Sequence, residues 1–190
     1  MPQLHSSIII LSVLFIVLLV VIIRKSHHQH GSTIHDGNEI QLDNALFLPQ
    51  VVLLLNEGHT VTINLKGYSM RPFLENGRDK ALLTKPVNPV VGDPVLAEVS
   101  PGRFVLHRIV SIDGDKVTLR GDGNIGVEHC HRKDICGAVI GFYRKGRKKI
   151  DRTDGRKWRA YSWIWMRLFP VRGYLLAVYR RLWIPLFGPV

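Results

Sequence analysis

Residues 103–120, RFVLHRIVSIDGDKVTLR, decide the fold that the rest of the chain must follow. Both halves of this stretch are rich in β-branched and other apolar residues, and Asp113-Gly114-Asp115 separates them with residue types that favour tight turns. The pattern predicts two antiparallel strands joined by a short turn. Because successive side chains of a strand point to opposite faces, His107 emerges from an otherwise apolar face and Arg108 from the other.

The same period of two recurs on both sides of this hairpin. Further strands are predicted for the runs VTINL, KALLT, PVLAEV and GAVIGFY, which begin at Val61, Lys80, Pro94 and Gly137. Many short strands with Gly and Asp turns between them are typical of an antiparallel, partly closed β structure. Ahead of the strands, Asp43 or Asn44 is predicted to cap an apolar helix that runs through Asn56 and stops at Gly58.

Three residue types of a serine hydrolase lie on or beside the predicted strands. Ser69 follows the VTINL run within GYSMRPFLENG, His107 lies inside a strand, and Asp122 follows a third strand in LRGDGN. A serine hydroxyl is a weak nucleophile until a base accepts its proton and an acid orients that base. For a lone histidine, an imidazole satisfied by a backbone carbonyl in the core is the competing interpretation. The presence of Ser69 and Asp122 on neighbouring predicted strands and turns favours a catalytic role for His107.

Four motifs in this region resemble the signal peptidase and LexA-type serine peptidases. Ser69-Met70-Arg71-Pro72 matches the Ser-Met-x-Pro motif of that superfamily, and His107-Arg108 matches its histidine-using branch, similar to archaeal and endoplasmic-reticulum signal peptidases. VGDPVLAEV at residues 91–99 resembles the Gly-Asp strand before the base, and RGDGN resembles the box that carries an acid. The resemblance covers residues 61–141, under half of the chain. It implies a coiled antiparallel β domain, a serine endopeptidase activity and no metal or organic cofactor.

Two positions depart from the family pattern. Gly67 stands where the family often has a serine that helps to bind the oxyanion, which leaves the Ser69 backbone N–H and a second donor for that task. Six positions after the Gly-Asp box, the histidine branch has a further aspartate, and this chain has Glu128. The resemblance therefore allows either Asp122 or Glu128 to orient His107. The shorter Asp122, on a turn flanked by glycines, is favoured because it is better constrained.

The first 42 residues divide into an anchor and a linker. Residues 8–23 form an apolar run that as a helix measures about 24 Å, and Arg24-Lys25 follows it directly. No Lys or Arg precedes the run and no small-x-small cleavage site follows it, which favours an uncleaved single-pass anchor over a cleaved signal peptide. Residues 1–25 are the predicted membrane anchor, and residues 26–42 are a polar linker.

The net charge of +11 in this 190-residue chain comes from its last quarter. Residues 144–190 contain 13 Lys or Arg and two Asp or Glu, so the remainder balances 13 basic with 13 acidic residues. All four tryptophans lie there among arginines, and Pro170 and Gly173 divide the segment into two short helical pieces. Aromatic and cationic side chains together favour a basic tail at the surface of a membrane with anionic lipid. Helices docked on the β domain are the alternative, and nothing else indicates nucleic-acid binding.

Two cysteines, Cys130 and Cys136, lie near His129 and His131. One disulfide is possible for such a pair, but two cysteines are no disulfide framework. The spacing matches no common zinc site, and adjacent residues of a strand point to opposite faces. No metal site is predicted there.

The motifs together predict a membrane-anchored serine endopeptidase with residues 43–143 as its peptidase-like β domain. Ser69 attacks a peptide carbonyl while His107 accepts its proton, and the substrate is an exported precursor protein or a dedicated partner peptide. The alternative is a catalytically inactive module of the same fold that binds a peptide or the membrane surface, which the missing hydroxyl at Gly67 favours.

Two observations disagree on which side of the membrane the β domain lies. The enzymes that the chain resembles have a catalytic domain facing away from the cytoplasm. Arg24 and Lys25, however, directly follow the apolar run, and positive residues close to a span favour the cytoplasmic side. We expect the β domain and the basic tail to face the cytoplasm, where anionic lipid attracts the tail.

Overall fold

The computed structural model describes residues 44–145 and 149–189. The predicted anchor, residues 1–25, and the linker, residues 26–42, lie outside the described residues. Across the two described ranges, no helix combines the length and the apolar character needed to cross a bilayer.

Helix α1 spans Asn44–Asn56, as predicted, and ends in a closure that depends on Gly58. The Gly58 N–H donates to the Leu55 carbonyl at 3.0 Å, and the His59 N–H donates to the Leu54 carbonyl at 3.0 Å. This double closure requires a left-handed residue, and Gly58 has φ of +91°. The predicted stop signal is therefore confirmed.

Among the described residues, eight strands form one antiparallel sheet. They are β1 Val61–Asn64, β2 Lys80–Thr84, β3 Pro94–Ser100, β4 Arg103–Asp113, β5 Lys116–Arg120, β6 Glu128–His131, β7 Ile135–Tyr143 and β8 Asp151–Arg152. Their order in the sheet is β1-β2-β7-β3-β4-β5-β6, and β8 pairs with β7. All six predicted strands are present, and β6 and β8 are additional. The expectation of an antiparallel, mainly β fold is confirmed.

The sheet separates two hydrophobic clusters, and β4 contributes to both. Phe104 and Leu106 pack against a main cluster that includes α1 and the C-terminal helices. Val105 and Ile109 belong to a smaller cluster on the opposite face, together with residues of β3, β5 and β7. This division confirms the alternation predicted for residues 103–120. It also places His107 and Arg108 on opposite sides of the sheet.

The C-terminal segment is helical and docks on the main cluster. It consists of α2 Arg156–Arg167, a 3-10 turn Phe169–Val171, α3 Arg172–Val178, a π-helical stretch Tyr179–Trp183 and a short helix α4 Ile184–Phe187. The break predicted at Pro170 is present as the 3-10 turn. Gly173, the other residue expected to divide the segment, lies just after this turn, at the second position of α3.

One face of this segment is core, which corrects the preference for a tail lying wholly at a membrane surface. Trp158 and Trp165 are 3% and 2% exposed and belong to the main cluster. A buried tryptophan removes about 200 Å² from water, which stabilises the fold by up to about 5 kcal/mol each. Burial of this size fixes the helices on the sheet. On the outward face, Trp163 is 60% exposed and Tyr174 is 69% exposed. Contact between this face and a membrane therefore stays a prediction.

Candidate active site

Ser69 lies in the connection between β1 and β2, directly after a left-handed glycine. Gly67 has φ of +86°, a backbone conformation that residues with a Cβ rarely adopt. Its N–H donates to Asn76 Oδ1 at 2.8 Å, which closes the connection onto itself. The structure thus gives a backbone reason for glycine where the resembling family has serine.

A second set of contacts holds the residues just after Ser69. Arg71 donates to both carboxylate oxygens of Glu75, at 2.8 and 2.7 Å, and its guanidinium lies 4.0 Å from the centre of the Tyr68 ring. A paired, charge-assisted contact of this kind fixes geometry as well as contributing energy. The peptide bond between Arg71 and Pro72 is cis. Ser69 is therefore presented from a well-braced turn.

His107 is 3% exposed in the middle of β4, and its partner is Glu128. The imidazole Nδ1 lies 2.9 Å from Glu128 Oε2. Glu128 begins β6, two strands away from β4, so its side chain reaches across β5. Arg103 Nη2 lies 3.6 Å from the other Glu128 oxygen, Oε1. With Nδ1 bound to a carboxylate, the ring is oriented with Nε2 free to exchange a proton.

Opposing effects set the protonation of His107. Burial lowers the pKa of His107 below its ordinary value of 6.5, because a charged imidazole loses hydration. The Glu128 carboxylate opposes this and raises the pKa through its charge and its hydrogen bond, but the lowering prevails. The imidazole is thus neutral at neutral pH, the form in which it acts as a base.

The Nε2 atom of His107 borders the turn that carries Ser69. A Cβ built on Gly121 lies 3.0 Å from His107 Nε2 and 2.4 Å from the carbonyl oxygen of Ser69. The two atoms therefore flank the same small space. Within the described residues no hydrogen bond joins the Ser69 hydroxyl to the imidazole. The structure brings Ser69 and His107 together as neighbours rather than as a bonded pair.

The two glycines of RGDGN allow the loop after β5 to press against the Ser69 turn. The Gly123 N–H donates to the Ser69 carbonyl at 2.7 Å. A Cβ on Gly123 is only 2.7 Å from the Tyr68 carbonyl oxygen, and one on Gly121 is closer still to that of Ser69. No real side chain fits at either position without displacing backbone. The glycines are thus required by backbone contact between the two loops.

Asp122, the residue favoured for orienting His107, lies on the other face of the sheet. Its carboxylate receives two hydrogen bonds from Arg108, at 2.9 and 2.6 Å, and one from the Tyr161 hydroxyl at 3.0 Å. The preference for Asp122 over Glu128 is therefore wrong in this structure. The physical reason is strand alternation. Arg108 pairs with Arg120 in the sheet, and the chain after Arg120 directs the Asp122 carboxylate toward the Arg108 guanidinium.

Of the contacts of Asp122, only Arg108 belongs to a motif that the sequence pattern singled out, and Tyr161 and Trp165 do not. Arg108 is fully buried and also donates to the Gly92 carbonyl at 2.8 Å and to Ser162 Oγ at 2.6 Å. Burial lowers the pKa of the Arg108 guanidinium, but the charge and hydrogen bonds of the Asp122 carboxylate outweigh this, so the pKa of Arg108 lies above its ordinary value. Trp165 Nε1 donates to the Asp122 carbonyl at 3.0 Å. The C-terminal helices therefore hold the loop that carries Asp122. In the sequence, the His107-Arg108 motif was the only indication of these contacts.

A cavity of about 100 Å³ opens beside Ser69. Its wall is mixed: apolar side chains of α1, β3 and β4, such as Phe47, Leu96 and Phe104, face polar residues that include Lys66 and Glu75. A cavity of this size next to a candidate nucleophile is suited to one small side chain. For comparison, an engineered cavity of about 150 Å³ binds benzene.

Within the two described ranges no group of three or more His, Cys, Asp or Glu side chains is placed to hold a metal ion. Cys130 and Cys136 are both free thiols. Burial raises the pKa of the Cys130 thiol to about 11, so this sulfur is protonated and unreactive at neutral pH.

Comparison with models of known protein families gives no match to this chain. A search of curated proteins likewise finds no match. The resemblance to signal peptidases therefore rests on the four motifs and stays a prediction, and the geometry is what any functional proposal must use.

Proposed function

We propose that this protein is a membrane-anchored serine endopeptidase of the signal-peptidase type, in the branch that uses histidine as the base. The observation that carries the proposal is the buried imidazole of His107, bound through Nδ1 to Glu128 and bordering the Ser69 turn at Nε2. A buried histidine that served packing alone does not need a carboxylate reaching across a strand. The RGDGN loop that presses on Ser69 adds a second, independent support.

The reaction follows from these positions. Ser69 Oγ attacks the carbonyl carbon of the scissile bond while His107 Nε2 accepts the hydroxyl proton, and Glu128 stabilises the imidazolium that forms. His107 then gives the proton to the leaving amine, which departs and leaves an acyl group on Ser69. A water molecule, deprotonated by the same imidazole, hydrolyses this ester and restores the hydroxyl.

The developing oxyanion takes its hydrogen bond from the Ser69 N–H. In the described part of the chain this N–H has no partner, while its carbonyl is bound by Gly123, so the amide is free to donate. A backbone donor that needs no rearrangement stabilises the tetrahedral intermediate efficiently. Gly67 contributes no hydroxyl to this task.

The cavity beside Ser69 is proposed to hold the side chain that precedes the scissile bond. Its volume of about 100 Å³ suits a small side chain better than an aromatic one. The substrate is thus a peptide or a precursor protein with a small residue at that position.

Membrane attachment is part of the proposal. Residues 8–23 supply a single-pass anchor, and the outward face of the C-terminal helices lies against lipid headgroups. This face carries exposed apolar side chains, including Trp163, Tyr174, Leu182, Leu186 and Phe187. Large exposed apolar residues beside arginines are typical of interfacial helices. We propose that the β domain faces the cytoplasm.

A second candidate function is a catalytically inactive module of the same fold. It is favoured by one observation, namely that the Ser69 hydroxyl and the His107 imidazole form no hydrogen bond among the described residues. In free enzymes such bonds are often long and form only with substrate, so this observation weighs less than the His107–Glu128 contact.

The test is Ser69-dependent peptide cleavage by the full-length protein in detergent micelles. We expect Ser69→Ala to abolish cleavage of a synthetic peptide library, because the substitution removes the proposed nucleophile. Ser111→Ala, an exposed serine further along β4, is the matched control and keeps full activity. Equal cleavage by wild type and Ser69→Ala contradicts the proposal, and so does the absence of any cleavage by wild type. Thermal unfolding at the same temperature for both variants excludes misfolding as the cause.

A further inference from the structure

A groove of about 510 Å³ lies between the RGDGN loop and the C-terminal helical segment. One wall is the loop of residues 123–128, and the other is the C-terminal helical segment. The helical wall consists of Gly173, Leu176, Ala177, Arg180 and Arg181. This spacing of three, four, seven and eight residues defines a single helix face. The groove and the cavity beside Ser69 share no lining residue.

The helical wall of this groove contains two small residues. Gly173 and Ala177 lie one turn apart in it. The loop supplies Ile125, which is 64% exposed and lies 3.5 Å from a Cβ built on Gly173. Exposed apolar side chains facing small residues make a surface on which an extended peptide can lie.

Positive charge in the groove lacks a matching carboxylate. Arg180 donates to the Gly123 carbonyl at 2.7 Å, and Arg181 is exposed. Neither arginine forms an ion pair with any residue that the structure describes. The acidic residue in the groove wall is Glu128, and its carboxylate is engaged by His107 and Arg103. The groove therefore attracts a negatively charged group from outside the chain.

The position of the groove places it on the side of the site from which the leaving segment of the substrate departs. Its loop wall begins at Gly123, which is bonded to the Ser69 carbonyl, and ends at Glu128, which orients His107. In an acyl transfer the base that deprotonates the nucleophile also protonates the leaving amine, so the leaving segment lies on the imidazole side. In the proposed function the cavity beside Ser69 receives the acyl side of the substrate, which leaves this groove for the segment that departs.

We propose that this groove binds the part of the substrate that follows the scissile bond, and that Arg180 and Arg181 select acidic side chains there. The inference rests on the proposed peptidase function and names a specificity within it. An anionic lipid headgroup offers the same charge. The peptide is favoured because the groove is continuous with the loop that contacts Ser69 and with the residue that orients His107.

The experiment uses full-length protein in micelles of a zwitterionic detergent and a synthetic peptide library with randomised positions around the cleaved bond. Mass spectrometry of the products gives the residues that follow the cleaved bond. We expect Asp and Glu to be enriched about fivefold over Lys and Arg there, the size typical of one exposed ion pair. The enrichment shrinks as salt is raised from about 0.01 to about 1 M, because exposed charges are screened.

Arg181→Glu is the decisive variant, since Arg181 makes no hydrogen bond within the described residues. It is expected to reverse the preference toward Lys and Arg. Arg159→Glu is the matched control, because Arg159 is exposed on α2 outside the groove and carries the same charge change. It is expected to retain the acidic preference.

The outcomes separate this inference from the proposed function. Ser69-dependent cleavage without an acidic preference, or with one that Arg181→Glu leaves unchanged, overturns the inference and leaves the peptidase function standing. If Arg181→Glu instead weakens binding to phosphatidylserine vesicles while the cleavage preference is unchanged, the groove belongs to lipid and the inference is overturned. If no peptide is cleaved in a Ser69-dependent way, both the peptidase function and the inference are overturned.

Discussion

At the scale of single residues, the two acidic side chains near the site have separate tasks. Glu128 contacts the imidazole of His107, and Asp122 contacts the guanidinium of Arg108 on the opposite face of the sheet. The motif alone did not distinguish them, since both follow β5 within a few residues. What separates them is the direction in which the RGDGN loop leaves the strand, and that depends on tertiary packing.

Glu128→Gln is expected to lower turnover by about 10² to 10⁴, the range seen when the orienting acid of such a unit is neutralised. It should also change the pH profile. Burial lowers the pKa of His107 below 6.5 and Glu128 partly restores it, so removing the charge lowers this pKa further. The acid limb of kcat/KM, which rises as the imidazole loses its proton, therefore moves to lower pH. Steady-state kinetics across pH 4 to about 8 measure it, and an acid limb moving to higher pH contradicts the assignment.

Asp122→Asn is the contrasting change, and its effect is on stability. It leaves the fully buried Arg108 without a counter-charge, and breaking a buried ion pair on one side costs about 3–5 kcal/mol. Denaturant unfolding measures this loss. We expect the destabilisation by Asp122→Asn to exceed that by Glu128→Gln by at least about 2 kcal/mol. Equal stability of the two variants counts against the assigned tasks.

At the scale of elements, the loop after β5 is the least tolerant part of the site. Gly121→Ala places a Cβ 2.4 Å from the Ser69 carbonyl oxygen and 3.0 Å from His107 Nε2. Both the nucleophile turn and the base must move, so we expect activity to fall by at least about 10²-fold, as a displacement of about 1 Å does elsewhere. Gly126→Ala is the control in the same loop, because a Cβ there meets nothing within 4 Å. The measurement is peptide cleavage by the two variants. Equal activity of Gly121→Ala and Gly126→Ala contradicts the explanation by steric clash.

The strands were predictable from sequence and the site only in part. Runs such as VTINL and RFVLHRIVSI carry the period of two that burial on one face imposes, and each of them is a strand. The strand β6 has the sequence EHCH, in which only Cys130 is apolar and buried, so no such period marks it. Glu128 begins that strand. Glu128, the partner of His107, was thus hard to recognise from sequence because its strand lacks the alternation of apolar residues.

At the scale of the whole molecule, the C-terminal helices are part of the core and, among the described residues, the proposed site of membrane contact. Trp165→Ala removes a side chain from the core and from a hydrogen bond to the Asp122 carbonyl, and is expected to cost about 3–5 kcal/mol of stability. Trp163→Ala, two residues earlier and 60% exposed, should leave stability within about 0.5 kcal/mol. Thermal unfolding compares them. Vesicle co-sedimentation should be weakened by Trp163→Ala, and unchanged binding removes the support for membrane contact of this face.

The orientation of the whole chain decides which substrates the proposed enzyme meets. Arg24 and Lys25 directly follow the apolar run of residues 8–23, and positive residues close to a span favour the cytoplasmic side, so we expect a cytoplasmic β domain. The +11 of residues 144–190 acts in the same direction, because anionic lipid is common in the cytoplasmic leaflet. A reporter enzyme that is active only outside the cytoplasm, fused after Val190, is therefore expected to be silent, and one that is active only inside should report strongly. Replacing Arg24 and Lys25 by Gln is the matched test, since it removes the nearest charges and leaves the tail intact. If the outside reporter is active in the unaltered protein, the β domain faces away from the cytoplasm, and exported precursors become the substrates that it can reach.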